Sequence, residues 1–177
     1  MRNNRQEAMD AADFDKSFAV LTMSDKGSQG NREDTSGRYL QEKLLEQGYV
    51  LKDYRIIPDR KELIVETLIE LTDVQQNALV VTTGGTGLSP SDVTPEAMER
   101  VLEKEIPGMA EAMRSASLQK TSRAMLSRGK AGVRGKSLIV NLPGSLKAVR
   151  ENLEVILDVI PHALEKIQGG QGDCGGS

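Results

Sequence analysis

Two kinds of hydrophobic pattern alternate along this chain. Short runs that are apolar throughout, SFAVLTM (17–23) and ALVVTT (78–83), read as strands buried on both faces. VLKDYRIIP (50–58) is less apolar and is expected nearer a sheet edge. Between the strands the period changes to that of helices. Leu40 and Leu44 mark one face of a helix running from about Ser36 to Gln47, with Gly48 as its C′ stop. Ile64, Leu68 and Leu71 mark another, from Arg60 to Thr72. Two more helices are expected near 95–105 and 108–118, the second presenting Met109, Ala112, Met113 and Ala116. Ala131 to Arg134 and Ser137 to Leu142 read as strands around a tight Gly135-Lys136 turn. A last helix follows PGS (143–145) with Val149, Leu153, Ile156 and Ile160 as its stripe, and Pro161 should kink or break it. Strands alternating with amphipathic helices imply an α/β fold with a mainly parallel sheet, and the hairpin implies one antiparallel strand.

Composition narrows the function classes. The 177 residues suit one domain, expected over 17–168 between a loose arm at 1–16 and a flexible glycine-rich tail at 169–177. A net charge of −3 and 3% aromatic residues offer neither a basic footprint nor stacking platforms for nucleic acid. Cys174 is the single cysteine, so an internal disulfide or cysteine zinc cluster is excluded. No apolar run is long enough to span a membrane, and the N-terminus lacks a signal-type core. The expected compartment is the cytoplasm.

The chemistry is expected in four loops that each follow a strand: Ser24–Gly37, Pro58-Asp59, Gly84–Asp92 and Pro143–Lys147. In open α/β sheets ligands bind beyond the carboxyl ends of the strands, so these loops should meet at one rim. TTGGTG (82–87) packs three glycines and three threonines into six residues. Gly84, Gly85 and Gly87 would let bare N–H groups approach an anion, with the Thr83 and Thr86 hydroxyls beside them. The plainer reading is a tight strand-to-helix turn. Asp92 is not needed as a helix cap, because Thr94-Pro95 already opens the next helix; it is a candidate magnesium ligand or simply a solvated loop acid. Asp59 heads a D-x-x-E pattern and locally reads as an N-cap. Asp34 and Ser145 read as caps of their own helices. Lys147 stands in a first helical turn, where a cation is disfavoured unless an anion binds nearby; a solvated lysine is the alternative.

Other motifs fail on context. Gly135-Lys136-Ser137 lacks the first glycine of a phosphate-binding P-loop and precedes a strand. The glycine loop lacks dinucleotide-fingerprint spacing. His162 is the only histidine and follows a proline in an apolar helix, which argues against Ser-His-Asp and histidine-zinc chemistry.

TTGGTGLSPSDVTPEA, then IPGMAEAMR, then LPGS-x-KAV, together with the opening LTMSDKGSQGNREDTSG, resembles the molybdopterin-binding family of molybdenum cofactor biosynthesis. The resemblance runs from about Phe18 to Ile167. It implies a three-layer α/β/α sandwich that assembles as a trimer or hexamer. It also implies transfer of AMP from Mg-ATP to the phosphate of molybdopterin, releasing pyrophosphate. Two acids mark the catalytic members, and Ile57-Pro58-Asp59 and Asp92 supply them here. Many relatives carry proline where Leu146 stands.

On this reading Asp59 and Asp92 are catalytic and hold Mg²⁺ against the triphosphate of ATP. Ser24, Asp25, Asp34, Thr83, Gly84, Gly85, Thr86, Gly87, Pro143, Gly144, Ser145 and Lys147 are the candidate substrate-binding residues, Ser145 and Lys147 toward the pterin. The expected partners are molybdopterin, ATP, further copies of the chain in a homotrimer, and a molybdate-inserting protein that receives the product. A non-catalytic pterin carrier on the same fold is the alternative; a nucleotide-pyrophosphate hydrolase is a second.

Overall fold

The computed structural model describes residues 14–170; most of the expected arm, the tail beyond Gly170 and Cys174 lie outside the described residues. Six strands form one sheet: β1 (Ser17–Met23), β2 (Val50–Ile57), β3 (Leu79–Thr83), β4 (Lys104–Glu105), β5 (Ala131–Arg134) and β6 (Ser137–Leu142). Their order is β2-β1-β3-β6-β5-β4. β2, β1, β3 and β6 are mutually parallel, β5 runs antiparallel to β6, and β4 antiparallel to β5. All residues of β1, β3 and β6 are buried, as fully apolar runs require when helices cover both faces. β2 lies at one edge and alternates in exposure, as its mixed composition implies.

The helices are α1 (Asp25–Ser28), α2 (Thr35–Glu46), α3 (Lys61–Ile69), α4 (Thr94–Val101), α5 (Pro107–Leu118), α6 (Leu146–Ile156) and α7 (Ile160–Ile167). Successive β1 residues point to opposite layers. Phe18 and Val20 join Leu40 and Leu44 of α2, Met109 and Met113 of α5, and the stripes of α6 and α7. Ala19, Leu21 and Met23 join Ile64 and Leu68 of α3 and Met98 and Val101 of α4. The short helix α1 lies in what reads by sequence as a loop. The sandwich therefore has the three layers expected. Each fully buried Phe or Leu side chain contributes roughly 1.5–3 kcal/mol.

Several boundaries differ from the sequence reading. The helix expected over 95–105 ends at Val101, and Lys104 and Glu105 pair with Val133 and Gly132. Two exposed charged residues carry no strand signal; the pairing arises from the neighbouring edge of β5. α3 runs on as a π-helical turn over Glu70–Val74 rather than stopping at Thr72. In α5 the buried small residue is Ala110, whereas Ala112 is exposed. The last helix breaks before Pro161, which sits in the first turn of α7, where its missing N–H does no harm. At the start of the domain, Asp15 is tied to the chain's other end: its N–H donates to Gln168 Oε1 at 2.7 Å, and Gln168 Nε2 donates to its carbonyl at 3.2 Å. Gly48 (φ +81°) and Gly135 (φ +55°) occupy the helix stop and hairpin turn expected of them.

Candidate active site

β2 lies on one side of β1 and β3 on the other, so the direction of winding reverses at β1. The crevice beyond the carboxyl ends of strands at such a reversal is where open α/β sheets bind ligands. A cavity of about 410 Å³ opens there. Of the candidate residues, Ser24, Asp34, Asp59, Thr83, Gly84, Gly85, Asp92, Gly144 and Ser145 line it. Thr86, Gly87 and Pro143 line an adjoining cavity of about 260 Å³ on the other side of the glycine loop, with Arg114, Arg123 and Asn152. Lys147 is exposed and lines neither. All four strand-end loops thus converge.

Asp59 is not the cap of α3. The N-cap is Arg60, with no side-chain capping bond. Asp59 instead pairs with Asp25, which is exposed and lines neither cavity. The Asp25 N–H donates to Asp59 Oδ2 at 3.1 Å, and the Asp59 N–H donates to Asp25 Oδ1 at 3.0 Å. Burial pushes the Asp59 carboxyl above the usual aspartate range; the Asp25 N–H opposes the shift, and the charges of Asp25 and Asp92 add to it. Asp92 is less free than the sequence implies, since its Oδ2 accepts the Ser89 N–H at 2.8 Å and closes the turn from Ser89.

The remaining polar groups are largely occupied within the protein. Ser24 Oγ accepts the Gly27 N–H at 3.0 Å, and Ser145 Oγ accepts the Ala148 N–H at 3.3 Å, each capping a helix. Asp34 caps α2 by accepting the Gly37 N–H at 2.8 Å, and also accepts the hydroxyls of Thr22 (2.5 Å) and Tyr54 (2.8 Å). Ser36 donates to the Gly144 carbonyl at 2.9 Å and Thr83 to that of Pro143 at 2.7 Å, fixing the loop after β6. The Gly84 N–H is also taken, donating to the Leu142 carbonyl at 3.1 Å, so the loop's donors toward a ligand begin at Gly85. Gly84 (φ +102°) and Gly85 (φ +65°) adopt backbone that other residues rarely reach. A Cβ at Gly85 would also collide with Thr94 Oγ1, a buried hydroxyl that has no hydrogen-bond partner.

Among the described residues no group of three or more His, Cys, Asp and Glu side chains forms a metal centre. The donor set in the cavity is hard oxygen: Asp59 and Asp92 with bare backbone beside them, while Asp34 and Glu33, which also line it, are engaged within the protein. Magnesium is usually bound by one or two carboxylates, with substrate phosphates and water completing its shell, so this set fits it. Sequence reasoning missed Arg32 and Glu33, which line the cavity from the first loop, and Arg128, which grips the glycine loop from behind. Arg32 and Glu33 lie in a run of polar residues with no distinguishing spacing; Arg128 lies in the irregular segment before β5, with no pattern at all.

Comparison with known proteins agrees with this architecture. The family model "Probable molybdopterin binding domain" matches residues 19–162. The molybdopterin adenylyltransferase of Helicobacter pylori (strain 26695) is 47% identical over 156 residues, covering 86% of this chain and 88% of that protein. That of Escherichia coli K12 is 36% identical over 167 residues, covering 86% and 85%. The crystal structure of the molybdopterin biosynthesis enzyme MoaB from Thermus thermophilus superposes with a TM-score of 0.82 at 46% identity, covering 86% of this chain and 96% of that one. With that extent of match in sequence and in fold, the chain belongs to the molybdopterin-binding domain family of molybdenum cofactor biosynthesis.

Proposed function

We propose that this protein is a molybdopterin adenylyltransferase, moving AMP from ATP to the phosphate of molybdopterin. The observation that carries the reading is the placement of Asp59, Asp92 and the glycine loop, from separate strand ends, around one cavity at the sheet's winding reversal. Relatives named for this activity, such as those of Helicobacter pylori and Escherichia coli, are 47% and 36% identical.

A phosphate oxygen of molybdopterin attacks the α-phosphorus of ATP. The bond from that phosphorus to the bridging oxygen of the β-phosphate breaks, and pyrophosphate leaves. Asp59 and Asp92 would hold Mg²⁺, which would supply charge neutralisation at the triphosphate. The Gly85 N–H in the acid cavity, and those of Thr86 and Gly87 beside the second cavity, would be the donors to phosphate oxygens. Positioning supplies much of the rate, and no protein nucleophile is needed. The two cavities share the glycine loop as a wall, so each substrate can enter from its own side and meet the other there.

Leu118, Met125 and Leu126 are exposed on α5 and the turn that follows it, and offer an apolar face for the subunit contacts of a homotrimer. No described helix is long and apolar enough to cross a membrane. We place the enzyme in the cytoplasm, passing its product to a molybdate-inserting protein.

The test is incubation with Mg-ATP and molybdopterin, measuring pyrophosphate and adenylylated pterin. Asp59→Ala and Asp92→Ala should each abolish product while the protein stays folded. Binding of pterin without pyrophosphate release in the unaltered protein would make it a carrier instead.

A further inference from the structure

We propose that Arg128 is a positioning residue that sets the shape of the glycine loop and, through it, the direction of the Asp92 carboxylate. Its guanidinium sends three N–H groups to three points along one segment. Nε donates to the Gly87 carbonyl at 2.8 Å, Nη2 donates to the Asp92 carbonyl at 2.6 Å, and Nη1 pairs with Glu96 Oε1. Its own backbone N–H donates to the Thr86 carbonyl at 2.9 Å. One residue therefore ties the beginning of the loop, its end, and the first turn of α4.

Few of the loop's other bonds fix the distance between Gly87 and Asp92. Within it, the Asp92 N–H donates to the Ser89 carbonyl and the Ser89 N–H to Asp92 Oδ2. Those close a local turn but leave that turn free to swing as a unit. Arg128 spans it as a chord. Gly87 itself lies close to the carboxylate, so that a Cβ there would lie 2.8 Å from Asp92 Oδ2. Arg128 does not line the acid cavity, so it acts through the loop and not on substrate. The guanidinium reaches these acceptors from three separate nitrogens of one rigid plane; a lysine ammonium also has three donors, but all on one nitrogen, and cannot span them. The Glu96 carboxyl is held below its usual range chiefly by the Arg128 hydrogen bond, in keeping with a paired guanidinium.

The inference rests on the adenylyltransferase reading for its kinetic arm, and a second arm is independent of it. Arg128→Ala is expected to lower kcat for AMP transfer by about 100-fold, the loss typical when a catalytic group is displaced by about 1 Å. Arg128→Lys should lose nearly as much, and millimolar guanidinium should restore part of the activity of Arg128→Ala but none to Asp92→Ala. In amide hydrogen exchange, Arg128→Ala should lose protection over Thr86–Ala97 while the β1, β3 and β6 amides keep theirs. A protein that transfers no AMP but shows this local loss would sink the functional reading and leave the positioning role standing. Unchanged exchange across the loop, or loss of protection throughout the sheet, would overturn the positioning role.

Discussion

Replacing Asp34 by alanine gives the sharpest test of how the rim of the cavity is held. The carboxylate joins three elements: it caps α2 through the Gly37 N–H and accepts hydroxyls from Thr22 on β1 and Tyr54 on β2. Loss of the cap costs about 1 kcal/mol. Thr22 is only 5% exposed, and its stranded hydroxyl costs about 1–3 kcal/mol more. Tyr54 is partly exposed, so water can replace its partner at little cost. The expected loss is therefore about 2–4 kcal/mol. Asp34→Asn, which keeps an acceptor oxygen, should lose about half as much or less. Equilibrium urea unfolding reads both values, provided the slope with denaturant stays constant. Tyr54 supplies a second reading. Its hydroxyl titrates above the usual tyrosine range, first because it is partly withdrawn from water and then because it donates to Asp34. Asp34→Ala should lower it, as followed by near-ultraviolet absorbance. A loss under about 0.5 kcal/mol, the scatter of ordinary surface substitutions, would refute the argument that this aspartate holds the rim together.

Asp59→Asn keeps an acceptor for the Asp25 N–H and removes a charge that the fold disfavours. Because the folded carboxyl titrates above the unfolded value of about 3.9, its ionised form costs stability once the pH rises through the folded value, and costs nothing below the unfolded one. The variant should melt higher than the parent at neutral pH, and the difference should close as acid protonates both states; a gap that widens toward acid contradicts the sign. Gly85→Ala places a side chain at φ +65° against Thr94 and should cost at least about 1–3 kcal/mol by thermal unfolding, with loss of AMP transfer; an unchanged melting temperature would mean the loop is slack. Tyr49→Phe removes a buried hydroxyl that lacks a partner and whose pKa burial pushes up to about 12, so urea unfolding should show a gain of about 1 kcal/mol, and a loss would reveal a partner for that oxygen.

What the sequence discloses depends on whether a signal is local. β1, β3 and β6 are buried at every position between two helical layers, so their apolar runs are visible without knowledge of their neighbours. Asp34 and Ser145 cap helices that begin beside them, and both are legible. Asp59 reads locally as a cap because its D-x-x-E pattern is real, yet its carboxylate finds an N–H donor 34 residues away in sequence. β4 is two charged residues whose pairing is decided by the edge they meet. Arg128 carries no pattern because its partners are mostly backbone carbonyls, which any sequence would supply.

The division of labour among the cavity's polar groups bears on what can enter it. Ser24, Asp34, Ser36, Thr83 and Ser145 direct hydrogen bonds into the protein itself, and so hold the loops in place. What remains toward a ligand is negative charge from Asp59 and Asp92, with Glu33 paired to Arg38 on the wall, Arg32 as a cationic wall residue and bare glycine backbone beside them. Like charges about 6 Å apart at an effective dielectric near 20 repel by roughly 3 kcal/mol per pair. A bare triphosphate would meet that repulsion from Asp59 and Asp92, and the Asp59 carboxyl is already raised, first by burial and in smaller part by the charges of Asp25 and Asp92. Glycine N–H groups can offset part of it but cannot neutralise two carboxylates. ATP should therefore bind far more tightly with magnesium than with chelator present, and Asp59→Asn should narrow that difference by weakening the first and strengthening the second. Calorimetric titration under both conditions measures this directly. Equal affinities with and without magnesium in the parent protein would mean that the two carboxylates do not face the triphosphate.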